Sequence, residues 1–205
     1  MMRACLLLLA ASGPALADGG SVAGKVEGPP RYLKETVVYV KALPGPFMPK
    51  TRPIDQKAMT FIPHVLTATA GDTAVFLNHD VVDHNVFSPD NEGFNLGVFP
   101  HGQNRSYPLR APGVYVLLCR IHPDMLGYIF VGQNPFSTTV DAEGRFRLDK
   151  IPPGRWQLAV WNSHGQAPDQ TVEIRRNQTA RANFNLGESP HGVPDARPIA
   201  GGQTP

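Results

Sequence analysis

The sequence carries almost no excess of charge of either sign. Its 205 residues include 19 Lys and Arg against 17 Asp and Glu, a formal net charge of +2. No run of basic residues stands out along the chain. Proteins that attract nucleic acid electrostatically present a basic cluster or stripe. The composition therefore gives no support to a nucleic-acid partner.

Long hydrophobic runs are also absent. The apolar run at residues 4–11 is much shorter than the roughly 20 residues that a helix needs to span a bilayer. It follows Arg3 and precedes Ala15-Leu16-Ala17, a small-x-small pattern typical of a cleavage site. We therefore predict a signal peptide over residues 1–17, export to the bacterial periplasm, and a mature chain without a membrane span.

Cysteine is scarce, and this has a chemical consequence. The two cysteines are Cys5 and Cys119, and Cys5 falls inside the predicted signal peptide. The mature chain then keeps one thiol and cannot form an intramolecular disulfide. A lone thiol in an oxidising compartment is a liability unless it is buried or bound. This is the first indication of a metal.

The sequence shows no long helical repeat, whereas it contains 20 Gly and 21 Pro. That balance favours short strands joined by turns and predicts an all-β fold built from sandwiches. Residues 44–57 are predicted to be a polar connection, and the stretch that follows the strand at 84–88, up to Gly102, is predicted to be rich in loops. The tail, residues 189–205, is predicted to be disordered. Strands are predicted at 21–26, 36–40, 73–77, 84–88, 105–109, 114–118, 127–131, 136–140, 145–148, 156–161, 170–174 and 180–185.

The strongest chemical signal is the segment from Cys119 through His122 to Met125. It places a thiolate, an imidazole and a thioether within seven residues, directly after a predicted strand. A thiolate and imidazole select copper or zinc, and a weak axial thioether is typical of copper in electron transfer. Such sites take a second histidine, so one ligand remains to be found.

Seven histidines compete for that place, of which His122 is already used. His84 is the best candidate because it opens a predicted strand directly after a polar turn. His79 is the rival, only five residues away, and we expect it to lie on the surface beside Asp80. His64 and His101 remain open as contributors to additional metal binding. The full set is His64, His79, His84, His101, His122, His164 and His191.

These residues, with several turn and strand motifs, resemble a cupredoxin. The Cys-x-x-His-Pro-x-Met spacing is more similar to that of amicyanin than to that of plastocyanin, whose loop is longer. The chain as a whole resembles exported proteins of the methylamine-utilisation or plastocyanin-like type. The motifs that carry the resemblance are Gly71-Asp72-Thr73, Phe76-Leu77-Asn78, His84-Asn85-Val86, Pro112-Gly113-Val114-Tyr115 and Cys119-x-x-His122-x-x-Met125-x-Gly127.

The resemblance implies a Greek-key β-sandwich that holds one mononuclear copper ion on His84, Cys119, His122 and Met125. It also implies that the backbone N–H of Asn85 donates to the ligand sulfur and tunes the metal. Electrons are expected to leave through the exposed edge of His122. The chain departs from the family in carrying charges inside the ligand loop, at Arg120 and Asp124, which leaves the choice of partner open.

The second half resembles a different family. Asp141-Ala142-Glu143-Gly144 and Ile151-Pro152-Pro153-Gly154 are similar to turns of the carboxypeptidase regulatory-like β-sandwich. Its expected first strands match Gly24-Lys25-Val26 and Val38-Tyr39-Val40. We therefore predict that residues 18–54 and 135–188 form one sandwich into which a cupredoxin domain, residues 55–134, is inserted. Two consecutive domains are the alternative.

The predicted function is that of an exported type 1 (blue) copper protein, which transfers single electrons and is not itself an enzyme. Redox proteins, one donor and one acceptor, are expected to dock transiently near His122 on an apolar rim formed by Pro123, Leu126 and Phe99. The alternative is a periplasmic copper-binding or delivery protein that carries the metal as cargo. That alternative requires an exposed, readily exchanged ion.

Overall fold

The computed structural model describes residues 19–188, so the predicted signal peptide (1–17) and disordered tail (189–205) lie outside the described residues. The described chain is almost entirely β-structure, with a single short helix, α1 (Pro30–Leu33). The predicted all-β class is therefore confirmed. No helix among residues 19–188 is both long and apolar enough to cross a membrane.

The strands belong to several sheets, which pair residues far apart in sequence. In chain order they are β1 (Gly20–Glu27), β2 (Thr36–Val40), β3 (Thr51–Lys57), β4 (Thr60–Ile62), β5 (Val65–Thr69), β6 (Thr73–Asn78), β7 (His84–Ser88), β8 (Phe94–Phe99), β9 (Asn104–Pro108), β10 (Gly113–Leu118), β11 (Leu126–Gly132), β12 (Ser137–Thr139), β13 (Arg145–Ile151), β14 (Gly154–Asn162), β15 (Gly165–Gln166), β16 (Gln170–Ile174), β17 (Thr179–Asn185) and β18 (Gly187–Glu188).

Strands β3 to β11 form what we call the middle sandwich. One sheet has the order β5-β11-β10-β7-β8 and the other the order β4-β3-β6-β9. Alternate residues of the central strands point into the space between them, as the two-residue period of a strand requires. Tyr115 and Leu117 of β10 and Ile129 and Val131 of β11 are buried there. The middle sandwich thus has its own apolar core.

Strands from both ends of the described chain form what we call the split sandwich. Its sheets have the orders β13-β1-β17 and β12-β2-β14-β16, around a core that includes Val22, Val38 and Phe184. Strand β1 runs parallel to β17, and a side chain at Gly24 would collide with the carbonyl oxygen of Ala182. Glycine is therefore required at this close approach of two backbones.

The two sandwiches meet through a third apolar cluster. Strand β2 directs Val38 and Val40 into the split sandwich, while Val37 and Tyr39 on its other face pack towards the middle sandwich. There they join Phe130 of β11, which has no exposed surface. We call this cluster the junction; its members are Val37, Tyr39, Val65, Val114, Tyr128, Phe130 and Trp161. Both faces of β2 are consequently buried.

Two sequence-based assignments were wrong. The predicted connection over residues 44–57 contains β3, and the predicted loop-rich stretch before Gly102 contains β8. Strand β3 pairs with β4 and β6 of the middle sandwich, and the predicted domain boundary at residue 54 falls inside it. The division into domains remains a prediction.

Candidate metal centre

Three of the predicted ligands converge at one end of the middle sandwich. The Nδ1 atoms of His84 and His122 are 3.1 Å apart, and the Nδ1 atom of His122 is 3.7 Å from the Sγ atom of Cys119. One donor atom from each of the three residues lies within 4.8 Å of the others. His84 has no exposed surface, Cys119 is 4 % exposed, and His122 is half-buried.

Strand pairing explains why these side chains meet. Strands β10 and β11 are antiparallel neighbours, and Leu118 at the end of one faces Leu126 at the start of the other. Residues 119–125 are therefore the connection between two paired strands. Strand β7 lies on the other side of β10 and begins with His84. The ligand loop and the start of β7 thus share one end of one sheet.

His84 is oriented by a carboxylate that the sequence analysis did not assign to the site. Its Nε2 atom lies 3.1 Å from Oδ2 of Asp80, which is itself buried. Asp80 also accepts backbone N–H bonds from Met59 (2.7 Å) and Val81 (2.8 Å). With its Nε2–H donated to Asp80, the imidazole presents the lone pair of Nδ1 to Cys119 and His122.

The same contacts govern the charge of Asp80. The hydrogen bond from the Met59 backbone holds the pKa of Asp80 below its ordinary value, and smaller contributions from Val81 and His84 add to it against the opposing effect of burial. The carboxylate is therefore ionised at neutral pH. A negative charge behind a neutral imidazole raises the basicity of that ligand.

Cys119 receives a hydrogen bond from the neighbouring strand. The backbone N–H of Asn85 donates to Cys119 Sγ at 3.4 Å, which is the contact that the cupredoxin resemblance implied. The Asn85 side chain adds a second link, because its Oδ1 atom accepts the N–H of Arg120 at 3.4 Å and its Nδ2 atom donates to Asn95 at 2.9 Å. Asn85 therefore ties the ligand loop to β7 and β8.

Met125 lies beside these residues in the apolar core. It is 1 % exposed and belongs to the same buried cluster as Cys119. Its backbone N–H donates to the carbonyl of His122 at 3.0 Å, which closes the turn between the two residues. Its role as an axial ligand remains a prediction.

The other histidines of this region have different partners. His79, the rival to His84, is exposed and pairs with Asp55 at 3.0 Å. The Nδ1 atom of His101 lies 2.6 Å from the carbonyl oxygen of Asp80, and His64 contacts Glu35 at 2.8 Å. None of the three belongs to the Cys119 cluster.

The donor set fits a single soft transition-metal ion. Bonds of about 2.0–2.3 Å from one ion to imidazole nitrogen and thiolate sulfur would place the donor atoms about 3.3–3.8 Å apart. The observed separations of 3.1 and 3.7 Å are close to that range. Two imidazoles and one thiolate with a nearby thioether form the combination that selects copper for electron transfer.

An apolar rim surrounds the edge of the site. Leu126 is 37 % exposed and Ile121 is 44 % exposed, and Pro123 is exposed between them. The prediction that Phe99 belongs to this rim is wrong, because Phe99 is completely buried in the core of the middle sandwich. Its side chain points inward from the end of β8, where it faces His84 in the strand register.

Solved structures that are similar to part of this chain include cupredoxins. No family model and no curated protein matches the sequence. A reduced amicyanin variant is 24 % identical over 40 % of this chain and 81 % of its own, with a TM-score of 0.38. A purple cupredoxin from Nitrosopumilus maritimus is 27 % identical over 39 % of this chain and 98 % of its own, with a TM-score of 0.37.

A copper-containing nitrite reductase from Thermus scotoductus is 30 % identical over 42 % of this chain and 23 % of its own, with a TM-score of 0.39. Because these TM-scores are low, we assign neither family nor function from them. The predicted methylamine-utilisation type and the carboxypeptidase regulatory-like sandwich are not confirmed and remain predictions.

Proposed function

We propose that this protein is an exported electron carrier with one type 1 copper ion held by His84, Cys119, His122 and Met125. The observation that carries the proposal is the convergence of two imidazole Nδ1 atoms and a buried thiol within hydrogen-bonding distances. When bound, copper would supply one-electron chemistry by alternating between Cu(II) and Cu(I). The protein itself would be a carrier, and its redox partners would perform the catalysis.

The surroundings of the ligands support a site that changes little between oxidation states. His84 is fixed by Asp80, and Cys119 is fixed by the Asn85 N–H. The ligand loop is anchored at both ends by paired strands. Side chains held in this way cannot easily rearrange when the charge of the site changes, so little reorganisation would accompany electron transfer.

Burial argues against the alternative in which the metal is cargo. A delivery protein needs ligands that exchange readily, which favours exposed residues. Here His84 and Cys119 are almost inaccessible to solvent, and the exposed His79 pairs with Asp55 and is not part of the cluster. The arrangement is therefore better suited to keeping an ion than to releasing it.

The exposed edge of the site supports docking near His122. His122 is the most accessible of the three clustered ligands, and Ile121, Pro123 and Leu126 expose apolar surface around it. Further exposed apolar side chains, Val81 and Val82, lie in the turn before His84. We propose that a redox partner contacts this surface transiently, so that the electron crosses through the edge of the His122 ring.

We also propose that the cupredoxin domain is inserted into a regulatory-like sandwich. Strands β1 and β2 pair with β12, β13, β14 and β17, all of which follow the middle sandwich in the chain. These pairings support insertion over two consecutive domains. Because β3 pairs within the middle sandwich, we propose that the inserted domain begins at Thr51.

Loading the purified chain, residues 18–205, with Cu(II) tests the proposed site. We expect intense visible absorption from thiolate-to-copper charge transfer and a small parallel hyperfine splitting in paramagnetic resonance. Both should disappear in Cys119→Ser and persist in His79→Ala, which removes an exposed histidine from the same end of the molecule. A pale protein with an ordinary tetragonal copper spectrum, indifferent to Cys119→Ser, would refute the proposal and favour cargo binding.

A further inference from the structure

A second group of ionisable side chains lies where the two sandwiches meet. The Glu35 carboxylate, directly before β2, is 2.8 Å from Nε2 of His64 through Oε1 and 3.5 Å from Nε2 of His164 through Oε2. His64 directly precedes β5 of the middle sandwich, whereas His164 follows β14 of the split sandwich. One carboxylate thus contacts two imidazoles that belong to different sandwiches.

Aromatic neighbours orient both imidazole rings. The ring of His164 stacks on Tyr32, with centroids 5.1 Å apart and planes inclined by 28°. The ring of His64 meets Tyr128 edge to face, with centroids 5.6 Å apart and planes at 89°. These contacts restrict ring rotation and keep both Nε2 atoms directed towards Glu35.

One oxygen of the carboxylate makes no hydrogen bond. The Oε2 atom of Glu35 is buried and lacks a hydrogen-bond partner, although His164 Nε2 lies 3.5 Å away, and the Glu35 side chain is only 14 % exposed. A buried polar oxygen that makes no hydrogen bond is costly. The two imidazoles are more accessible, at 40 % exposure for His64 and 48 % for His164, so an ion from solvent can reach the group.

We propose that Glu35, His64 and His164 form a second metal site, which takes a divalent ion of the Zn²⁺ type and is separate from the Cys119 centre. Imidazole nitrogen and carboxylate oxygen are ordinary zinc ligands, and three protein ligands leave a fourth position for water. The ion would occupy the unused side of Oε2. Because the ligands come from both sandwiches, the bound ion would cross-link them.

The distances indicate how far the ligands must move. Tetrahedral zinc with bonds of 2.0–2.1 Å holds its ligand atoms about 3.3 Å apart. The separation of His164 Nε2 from Glu35 Oε2, 3.5 Å, is already near that value. His64 has to open its 2.8 Å contact by about half an ångström. Within residues 19–188, only the Cys119 cluster has three donor atoms that all lie within 4.8 Å of one another. In the Glu35 group at least one pair of donor atoms is therefore more than 4.8 Å apart, and that pair has to shorten by about 1.5 Å or more when the side chains close on the ion.

Tyr128 does not compete for this ion as an anionic ligand. Burial, together with the nearby Glu35 charge, raises the pKa of Tyr128 to about 12. The phenol is therefore neutral at the pH where zinc would bind. Neutral imidazoles are also required, so binding is measured above the ordinary histidine pKa of about 6.5.

Calorimetric titration of the copper-loaded chain with ZnCl₂ tests the proposal, because copper keeps zinc away from Cys119. We expect one Zn²⁺ per chain, lost in the isosteric variant Glu35→Gln and in His164→Ala. The matched control is His79→Ala, which disrupts another histidine–carboxylate pair and should leave zinc binding unchanged. If the chain takes up no copper, Cys119→Ser is titrated instead, so that failure of the copper site does not affect the test.

Zinc K-edge X-ray absorption of the wild-type complex adds a readout that does not depend on the folding of a variant. We expect scattering from imidazole and oxygen without sulfur. Three outcomes would each overturn the proposal. They are the failure of the wild-type chain to bind one equivalent of zinc, unchanged zinc binding in Glu35→Gln, and a sulfur neighbour of zinc in the absorption spectrum.

Discussion

Replacing Asp80 by asparagine tests whether a buried carboxylate controls the proposed copper site. The change keeps the shape of the side chain but removes its charge and turns one oxygen into an N–H donor. In the native chain three donors face Asp80: Nε2 of His84 and the backbone N–H groups of Met59 and Val81. An amide can accept only on one side, so at least one of these donors loses its acceptor.

The magnitude follows from the kind of bond that is lost. A hydrogen bond to a charged group contributes about 1.5–3 kcal/mol. This free energy corresponds to a change in an equilibrium constant of roughly 10–100-fold, at 1.4 kcal/mol per tenfold change. Mutation of the residue that holds a metal-ligating histidine typically lowers metal affinity by about the same factor. The Asp80 charge favours Cu(II) over Cu(I), because the oxidised ion carries one more positive charge. We therefore expect Asp80→Asn to raise the reduction potential by about 60–120 mV, at about 59 mV per tenfold change.

Voltammetry and Cu(II) competition titrations measure both quantities. The matched control is Asp83→Asn, which removes the same charge from an exposed residue directly before His84. Exposed charges are screened by solvent and salt, so this control should shift the potential far less. Equal shifts in the two variants, or an unchanged potential in Asp80→Asn, would refute a specific role for the contact between Asp80 and His84.

Three other measurements test separate parts of the structure. Phe130→Ala should destabilise the chain by about 3–5 kcal/mol, because it empties the centre of the junction; calorimetry checks this through a lower melting temperature, and an unchanged one would show that the junction contributes little. Leu126→Glu should slow electron transfer to a redox partner without altering the visible spectrum. Met48→Glu, at an exposed site with 83 % accessibility, should leave the rate of electron transfer unchanged. Equal rates in the two variants would argue against docking at the rim. Burial raises the pKa of Tyr39 and of Tyr128 to about 12, above the ordinary value of about 10. The unfolded chain then loses these protons first, so the contribution of these two tyrosines to the free energy of unfolding is fully present below about pH 10 and is lost between about pH 10 and 12. Absorbance titration of phenolate should show delayed ionisation in the native chain, and titration near pH 10 without unfolding would contradict it.

Local patterns made the proposed ligands predictable. Cys119, His122 and Met125 follow one another within a single connection, so their spacing alone indicates a common site. Strand β7 was predicted with its observed bounds because Val86 and Phe87, which favour strands, follow closely after a polar turn. The position of His84 at the start of that strand then followed from the sequence.

Contacts between distant segments were not predictable in the same way. Asp80 lies four residues before His84, but nothing in that spacing distinguishes a buried partner from a surface carboxylate. Glu35, His64 and His164 are brought together only by the packing of two sandwiches, so no local pattern marks them. A sequence search for carboxylates near each candidate histidine would have found Asp80 and missed Glu35.

Strand β3 shows why some strands were overlooked. Its sequence contains Pro53 and several polar residues, which weigh against a strand. Pro53 is tolerated because β4 pairs only with residues 55–57, so on that side of β3 no strand faces the proline. Partner strands, rather than the intrinsic preference of the segment, determine its conformation.

The junction has a practical consequence for anyone who produces the middle sandwich alone. A fragment limited to residues 51–134 would present the outer faces of β11 and β5 to water, including Phe130, Tyr128 and Val65. An apolar sheet face without its cover is a site of self-association. Such a fragment should therefore precipitate or form dimers even where its copper ligands are intact, and polar substitutions on this face would be needed to keep it monomeric.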